Sequence, residues 1–322
     1  MALPLIRDLR AAWPDTEILV AARASVEPLF SMVPGVNGTV TLQGGGGRRA
    51  IQSASTNAAR LADTECDAAL LLPNSFLSAW IVRRAGIPER WGFARDLRRR
   101  LLTRPVPSLR RYGHQVEYYQ ALGTALGIPA GRPYAHVAVP ATARARAVEL
   151  LTERGLMSDR FVVFAPGAAY GRAKQWLPER FVELARLLSI DGVKTVLVGA
   201  KGDTPVCAAI AAIAPVLDLS GQTDLPLLAG VLTHAHAVVA NDSGAMHLAA
   251  AVGARVTALF GPTDDRKTRP LAASEHDPHP TVVSTDVWCR PCMLRECPID
   301  HRCMTRISAD RVRATLPVQV SR

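Results

Sequence analysis

The stretch that decides the fold is AVVANDSGAMHLAAAVGARVTALFGP, residues 237–262. Its pattern predicts a short buried strand, a polar turn from Asn241 to Gly244, a buried helix and a second buried strand. A parallel strand that enters a helix through such a turn directs backbone N–H groups and the positive helix end above the sheet. The stretch therefore indicates a phosphate site, with helix capping by Asp242 and Ser243 as the plainer alternative.

The same alternation of strands and helices extends through the rest of the chain. Further strands are predicted at residues 17–21, 39–42, 68–72, 161–165, 195–198 and 216–219. Regular alternation is typical of parallel sheets flanked by helices. We therefore predict an α/β protein of two halves that face each other across a cleft. The first domain is predicted over residues 1–157, including a linker helix at 141–154, and the second over 158–322.

The composition limits the class of protein. The chain has 322 residues, 48% of them hydrophobic, and its 38 Lys and Arg against 28 Asp and Glu give a net charge of +10. Such an excess favours an anionic partner, for example a phosphorylated substrate, an acidic lipid or a nucleic acid. No apolar run reaches the ~20 residues that cross a bilayer, and the N-terminus does not resemble a signal peptide. We therefore expect a cytoplasmic protein.

Loops of the second half have the composition of a nucleotide site. PGAAYGRAKQW, residues 166–176, places Gly167 and a second glycine ahead of Lys174, whose charge suits a diphosphate. Asp203 ends the loop after the next strand and suits either ribose hydroxyls or a helix cap. Because these loops and the turn at Asp242 leave the carboxyl ends of strands in one sheet, we expect them to converge on one ligand.

Candidate acceptor contacts lie in the first half. One pair follows a buried strand at its carboxyl end, three arginines lie in the basic stretch 90–111, and a histidine opens the next helix. These residues are Asn74, Ser75, Arg95, Arg98, Arg100 and His114. The plainer interpretations are a solvated surface for the arginines and a cap or packing role for the histidine.

These motifs together resemble the ADP-heptose:lipopolysaccharide heptosyltransferases, glycosyltransferase family nine, and most closely its heptosyltransferase II branch. The second half carries PG…K at 166–174, GAKGD at 199–203, LSG at 219–221, NDSGAMH at 241–247 and FGPT at 260–263. The first half carries LPNSF at 72–76, AGIP at 85–88, RWGF at 90–93 and HQVEYY at 114–119. The resemblance implies a GT-B fold of two Rossmann-like domains with the donor in the second. It places Gly244 and His247 in the donor site.

The resemblance implies inverting transfer of heptose from ADP-L-glycero-D-manno-heptose to heptosyl-Kdo2-lipid A, in the lipopolysaccharide inner core. Such a transfer needs a base for the acceptor hydroxyl and stabilisation of the departing diphosphate. Lys174 and the helix that begins at Ser243 supply the stabilisation, while Asp242 would hold hydroxyls of the donor sugar. No cofactor is required on this interpretation, and a role for Mg²⁺ is left open. The basic stretch suits an acidic acceptor at the inner membrane, with the enzyme bound peripherally.

The resemblance also implies a base that this sequence does not contain. In the family, the first strand ends in a Gly-Asp turn before the helix that matches residues 2–10, and that Asp is the proposed base. Here the sequence starts at Met1, inside or beside this helix. We therefore expect an N-terminal truncation that removes the first strand and leaves neighbouring strands without ladder partners. Asp8 is expected to face solvent and not to replace the base.

Four cysteines near the C-terminus have the spacing of a ligand set. Cys289, Cys292, Cys297 and Cys303 follow the pattern C-x2-C-x4-C-x5-C, with His301 adjacent. Similar cysteines occur in many members of the family, so the resemblance does not by itself require a metal. Structural zinc is one hypothesis, and reduced thiols in an acceptor-side loop are the preferred one. The two other cysteines, Cys66 and Cys207, are expected in the core.

The sequence lacks the motifs of several other classes of function. The glycine run 44–47 is not a dinucleotide fingerprint, because the third glycine position falls on Arg49. A nucleic-acid-binding protein is not favoured, since no helix-turn-helix, RNP-type or finger signature is present. Another GT-B nucleotide-sugar transferase, a sugar-nucleotide epimerase and a nucleotide-binding remnant that is inactive without the base remain as alternatives.

Overall fold

The computed structural model describes residues 1–44, 52–109, 111–157 and 160–317. The chain divides into two compact units, Met1–Pro133 and Tyr134–Arg322. All strand pairs in the described ranges are parallel, which confirms the predicted α/β class. Most of the glycine run, from Gly45 to Gly47, and Arg49 lie outside the described residues.

The first unit begins with a helix, as predicted. Its elements are α1 (Leu3–Ala12), β1 (Leu19–Arg23), α2 (Glu27–Phe30), β2 (Gly38–Leu42), α3 (Ala54–Ala62), β3 (Ala68–Leu71), α4 (Phe76–Arg84), β4 (Glu89–Phe93), a 3-10 turn (Arg99–Leu101), β5 (Arg104–Val106) and α5 (Gln115–Ala125). Helix α1 packs on α5 at Gly123, where a Cβ atom would lie 2.7 Å from Leu5 Cδ1.

Asp8 of α1 does not face solvent, so that prediction is wrong. The side chain is buried, and Asp8 Oδ2 accepts a hydrogen bond of 2.6 Å from Gln120 Nε2 on α5. The same Gln120 nitrogen donates to the Gly131 carbonyl at 2.9 Å. Asp8 is buried because a partner 112 residues away satisfies its carboxylate, which the local pattern of α1 could not reveal.

The strands of the first unit form two separate parallel sheets. One sheet joins β1 to β2, and the other has the order β3-β4-β5. Within the described ranges, neither β1 nor β3 pairs with a strand on its second side. Ala21 of β1 and Ala68 of β3 are exposed. In the described part of the chain, the first unit therefore has two separate sheets with unpaired outer edges.

The second unit holds one six-stranded sheet with the order β11-β10-β9-β6-β7-β8. Its elements are α6 (Ala141–Glu153), β6 (Phe161–Ala165), a 3-10 turn (Arg172–Lys174), α7 (Pro178–Ile190), β7 (Lys194–Leu197), a 3-10 turn (Lys201–Asp203), α8 (Thr204–Ala211), β8 (Val216–Asp218), α9 (Leu225–His234), β9 (Ala237–Asn241), α10 (Gly244–Ala251), β10 (Val256–Phe260), α11 (Asp265–Thr268), β11 (Thr281–Ser284), α12 (Arg302–Thr305) and α13 (Ala309–Arg313). Every residue of β6, β9 and β10 is buried. These are the continuous apolar runs expected of strands covered on both faces.

Helix α6 belongs to the second unit, whereas the predicted boundary at residue 157 placed it in the first domain. It packs on α9 at Gly230, where a Cβ atom would lie 2.8 Å from both Ala143 O and Ala147 Cβ. Arg146 of α6 also forms an ion pair of 3.0 Å with Asp224, the residue before α9. Helix α6 therefore meets α9 at a position where only a glycine fits, and nothing in the sequence of α6 itself indicates this partner.

None of the helices in the described ranges combines the length and the apolar character needed to cross a membrane.

Candidate functional site

The candidate site lies where the strand order of the second unit reverses. The chain winds from β6 outward through β7 and β8, then returns to place β9 on the other side of β6. In the register of this pair, Ala165 lies opposite Ala240. The loops that leave β6 and β9 therefore start side by side at the carboxyl edge, the position where open α/β sheets bind ligands.

Asn241 joins these two loops. Its Nδ2 donates to the Pro166 carbonyl at 2.7 Å, and its Oδ1 accepts from the Trp176 N–H at 3.0 Å. The Asn241 side chain is fully buried. It thus fixes both ends of the loop 166–176 that carries the candidate lysine. This role of Asn241 was not predicted from the sequence. The one feature that could have indicated it is the position of Asn241 at the start of the polar turn.

Lys174 and Asp242 meet at the centre of the site. Lys174 Nζ lies 2.6 Å from Asp242 Oδ2, and their side chains are 13% and 5% exposed. Thr263 Oγ1 donates to the same carboxylate oxygen at 2.7 Å. The Lys174 ammonium also lies 4.8 Å from the centroid of the Tyr170 ring. A cation and an anion are therefore held in a partly desolvated position where their interaction is strong.

The N-terminus of α10 is open beside this pair. Ser243 is the N-cap residue in an extended conformation, but its side chain makes no capping hydrogen bond. Its hydroxyl is buried and has no hydrogen-bond partner in the described part of the chain. A Cβ atom on Gly244 would meet nothing within 4 Å. The capping alternative is therefore not realised for Ser243, and the first N–H groups of α10 can receive an anion.

Asp203 lies against the start of the lysine-bearing loop. A Cβ atom on Gly167 would collide with the Asp203 carboxylate. Asp203 Oδ2 accepts a hydrogen bond of 2.9 Å from the Ala200 N–H and so closes its own turn. The structure thus brings Gly167 and Asp203 together, next to the loop that Asn241 fixes. His247 lies in the first turn of α10.

Arg98 of the first unit occupies a different environment from the one expected. It is fully buried, and its guanidinium donates to the Phe93 carbonyl at 2.9 Å, to the Pro73 carbonyl and to Ser78 Oγ at 3.2 Å. A 3.4 Å contact with Asn74 Oδ1 completes the set. Arg98 is therefore corrected from a candidate acceptor contact to a residue that fixes the loops after β3 and β4.

Ser75 and His114 act as helix caps. Ser75 Oγ accepts from the Ser78 N–H at 3.3 Å at the start of α4. His114 Nδ1 accepts from the Val116 N–H at 3.3 Å, and the Glu117 carboxylate accepts from the His114 N–H at 3.1 Å. This reciprocal pair is a capping box at the start of α5. The capping interpretation of His114 is thus the one that the structure contains.

The exposed residues of the basic stretch surround a protruding turn. Arg95 and Arg100 are exposed, and Leu97 between them is 95% exposed. Asn74 lies at the base of this region, where its Nδ2 donates to the Tyr118 hydroxyl at 2.9 Å. Of the candidate arginines, Arg95 and Arg100 can reach a ligand in solvent. Arg110, in the same stretch, lies outside the described residues.

The four C-terminal cysteines are brought together in space. Cys289, Cys292, Cys297 and Cys303 line one cavity of about 230 Å³, together with His301. All four are free thiols. Burial, followed by the neighbouring thiols, raises the pKa of Cys303 to about 11. Cys207 is buried as predicted, whereas Cys66 is only half-buried.

Comparison with known proteins supports the family that the sequence motifs resemble. Residues 57–302 match glycosyltransferase family 9 (heptosyltransferase). Lipooligosaccharide heptosyltransferase 2 of Haemophilus influenzae is 31% identical over 286 residues, covering 84% of this chain and 82% of that protein. Lipopolysaccharide heptosyltransferase 2 of Escherichia coli K12 is 32% identical over 287 residues, again covering 84% of this chain and 82% of that protein.

A solved structure gives the same result at the level of the fold. The structure of E. coli ADP-heptose lps heptosyltransferase II matches with a TM-score of 0.79 at 29% identity, covering 98% of this chain and 92% of that chain. The predicted resemblance and the GT-B fold class are thereby confirmed. The chain is a glycosyltransferase that belongs to family 9, the heptosyltransferases.

Proposed function

We propose that this chain transfers heptose from ADP-heptose to the inner core of lipopolysaccharide, with inversion at the anomeric carbon. The observation that carries the proposal is the buried Lys174–Asp242 pair beside the open N-terminus of α10. Likeness to heptosyltransferase 2 of two organisms supports the choice of sugar and acceptor class.

In this proposal the diphosphate of the donor binds between Lys174 and α10. Lys174 supplies a full positive charge, and the first N–H groups of α10 supply donors on the positive end of the helix dipole. The unpartnered Ser243 hydroxyl is a further donor at the same place. As the glycosidic bond breaks, negative charge accumulates on the diphosphate, so these groups bind the transition state more strongly than the ground state.

Two carboxylates orient the rest of the donor. Asp242 carries the charge that pairs with Lys174, and when a diphosphate takes over Lys174, that carboxylate can accept hydrogen bonds from hydroxyls of the heptose. Asp203 lies against Gly167 and would accept hydrogen bonds from the ribose. In this arrangement, hydrogen-bond acceptors (the two carboxylates) lie next to sugar hydroxyls, and hydrogen-bond donors (Lys174 and the N–H groups of α10) lie next to phosphates. The reaction as proposed requires no cofactor, because Lys174 and α10 supply the positive charge.

The acceptor is proposed to be heptosyl-Kdo2-lipid A, bound by the first unit. Its carboxylates and phosphates are anionic, and Arg95 and Arg100 are exposed cations there. Attraction between a basic surface and acidic lipid would hold the protein at the cytoplasmic face of the inner membrane without a membrane-spanning helix. Arg98 has no direct part in this, since its guanidinium is buried.

The test is a transfer assay on the full chain with heptosyl-Kdo2-lipid A and either ADP-heptose or a UDP-sugar. None of the described residues is assigned as the base, so the proton of the acceptor hydroxyl passes to solvent water and we expect transfer to be slow. With ADP-heptose, and not with a UDP-sugar, we expect release of ADP, addition of one heptose to the acceptor, and an inverted anomeric configuration of the product by NMR. Use of a UDP-sugar would point to another nucleotide-sugar transferase. Conversion of the nucleotide sugar without acceptor would indicate an epimerase, and ADP binding without any transfer would indicate an inactive nucleotide-binding protein.

A further inference from the structure

The segment 287–303, which carries the four C-terminal cysteines, brings their side chains to one cavity. Cys289 and Cys303 pack against the core of the second unit, and Cys297 Sγ accepts a hydrogen bond of 3.3 Å from the His301 N–H. Cys292 is exposed at the mouth of the same cavity. Four thiols from separate parts of one segment thus line a cavity of about 230 Å³.

Four thiols with C-x2-C-x4-C-x5-C spacing are the ligand set of a tetrahedral, thiolate-preferring ion such as zinc. Among the described residues, no group of three or more His, Cys, Asp or Glu side chains is already arranged around one metal position. Binding therefore requires the thiols to turn toward a common point in the cavity. It also requires loss of their protons: one divalent ion and four thiols give one tetrathiolate complex of net charge −2 and four released protons. Arg302 lines the same cavity and can offset this charge.

The same segment contacts the lysine-bearing loop of the donor site at several points. The Ala173 N–H donates to the Arg295 carbonyl at 2.9 Å, and His301 Nε2 lies 2.7 Å from the Ala173 carbonyl. Both polar groups of the Ala173 backbone are therefore bonded to residues on either side of Cys297. Gly171 approaches the Arg295 backbone so closely that a Cβ atom there would collide with it.

Further bonds tie the segment to the loop after β10. The Met293 N–H donates to the Pro262 carbonyl at 2.9 Å, and Arg290 Nε donates to the Gly261 carbonyl at 2.8 Å. The Tyr170 hydroxyl donates to the Met293 carbonyl at 2.9 Å. Whatever orders this segment consequently orders both the loop that holds Lys174 and the loop that holds Thr263.

We propose that Cys289, Cys292, Cys297 and Cys303 bind one zinc-type ion, and that the closed site holds the lysine-bearing loop in its binding geometry. The ion is structural in this proposal, because four protein ligands leave no open position for substrate. The effect on the loop rests on the donor site proposed above, whereas metal binding itself does not.

The first experiment measures metal on the full chain purified without chelator. Mass spectrometry of the metal content is expected to give about one zinc per chain, and cobalt substitution should produce sulfur-to-cobalt charge-transfer bands of a tetrahedral site. Cys292→Ser and Cys297→Ser should lose the ion, while the control Cys66→Ser, in the first unit, should retain it. Absence of bound metal after zinc is supplied would overturn the proposal. So would a disulfide between any two of the four cysteines in protein alkylated at purification.

The second experiment measures ADP affinity by calorimetry on the zinc-loaded protein, on chelator-treated protein and on Cys292→Ser. Circular dichroism checks that each sample is folded. We expect metal loss to weaken ADP binding about 5-fold or more, the usual range for coupling between two sites. Zinc binding with unchanged ADP affinity would contradict the coupling. Failure of the zinc-loaded protein to bind ADP would instead contradict the proposed donor site, with the metal measurement unaffected.

Discussion

Lys174 Nζ lies 2.6 Å from Asp242 Oδ2, across two loops that leave adjacent strands of one sheet. Both side chains are largely buried, so neither charge is well solvated when its partner is removed. An anionic ligand at this edge of the sheet must compete with Asp242 for Lys174 or share it. This competition allows the roles of the two residues to be separated by substitution.

Lys174→Ala is expected to weaken ADP binding by about 1.5–3 kcal/mol, the magnitude of a lost charge-assisted hydrogen bond. Isothermal titration calorimetry measures the change. The matched control is Lys194→Ala, which removes an exposed lysine at the opposite, N-terminal end of β7 and should leave ADP affinity unchanged. Equal ADP affinity in wild type and Lys174→Ala would remove Lys174 from the donor site.

Asp242→Asn is expected to separate sugar binding from diphosphate binding. The amide can still accept from Thr263 but no longer competes for Lys174, so ADP affinity should be retained or increased. Heptose transfer should fall about 10- to 100-fold in kcat/KM, because a neutral amide accepts sugar hydroxyls more weakly than a carboxylate. A parallel loss of ADP affinity and transfer would show that Asp242 positions Lys174 and does not contact the sugar.

Substitutions of Arg98 and of Arg100 are expected to have different effects on stability and on acceptor binding, although the two residues are only two positions apart. Arg98→Met should destabilise the first unit by about 3 kcal/mol or more, because the buried Phe93 and Pro73 carbonyls lose their donor. Arg100→Ser should leave stability within about 0.5 kcal/mol but raise the KM for the acceptor and flatten its salt dependence. Denaturant unfolding and acceptor titrations at two salt concentrations measure these effects. Acceptor binding that depends on Arg98 in a protein of unchanged stability would contradict a purely structural role for Arg98.

Strand amides are expected to exchange with solvent at very different rates in the two units. Strands β6 and β9 are fully buried and hydrogen bonded on both sides, whereas β1 and β3 each pair with a single neighbour among the described residues. Hydrogen exchange read by mass spectrometry should be on the order of 10² times faster in β1 and β3. Equal protection in the two units would show that the first-unit strands have partners that the described pairing does not contain.

Cys207 is expected to resist alkylation in the folded protein. Burial raises its pKa to about 12, so the thiol stays protonated at pH 8 and is not a nucleophile. Because the pKa is raised on folding, the associated stability is fully present below the unfolded value near 9 and is lost as the pH rises toward 12. Iodoacetamide labelling followed by mass spectrometry should modify the half-buried Cys66 before Cys207. Rapid labelling of Cys207 at pH 8 without unfolding would contradict this.

The sequence by itself determined the α/β class, most strand and helix positions, and the loops that form the candidate site. The strands Phe161–Ala165 and Val256–Phe260 lie where they were predicted, because a run of apolar residues between turn residues is a local signal of a buried strand. Lys174 and Asp242 were also predicted from sequence to lie at one edge of the sheet, where the structure brings them together, because glycine and charge after a strand are typical of the ligand-binding edge of a parallel sheet.

The tertiary structure alone decided which polar side chains are satisfied by the protein itself. Arg98 bonds a carbonyl 25 residues away, Asn241 one that is 75 residues away, and Asp8 an amide 112 residues away. Local spacing reports whether a residue type suits a surface, a turn or a core. It does not report the distant partner that makes burial of an arginine or aspartate favourable. Long-range hydrogen bonds therefore made Arg98 and Asp8 structural, and the same kind of bond let Asn241 fix the loop that holds Lys174.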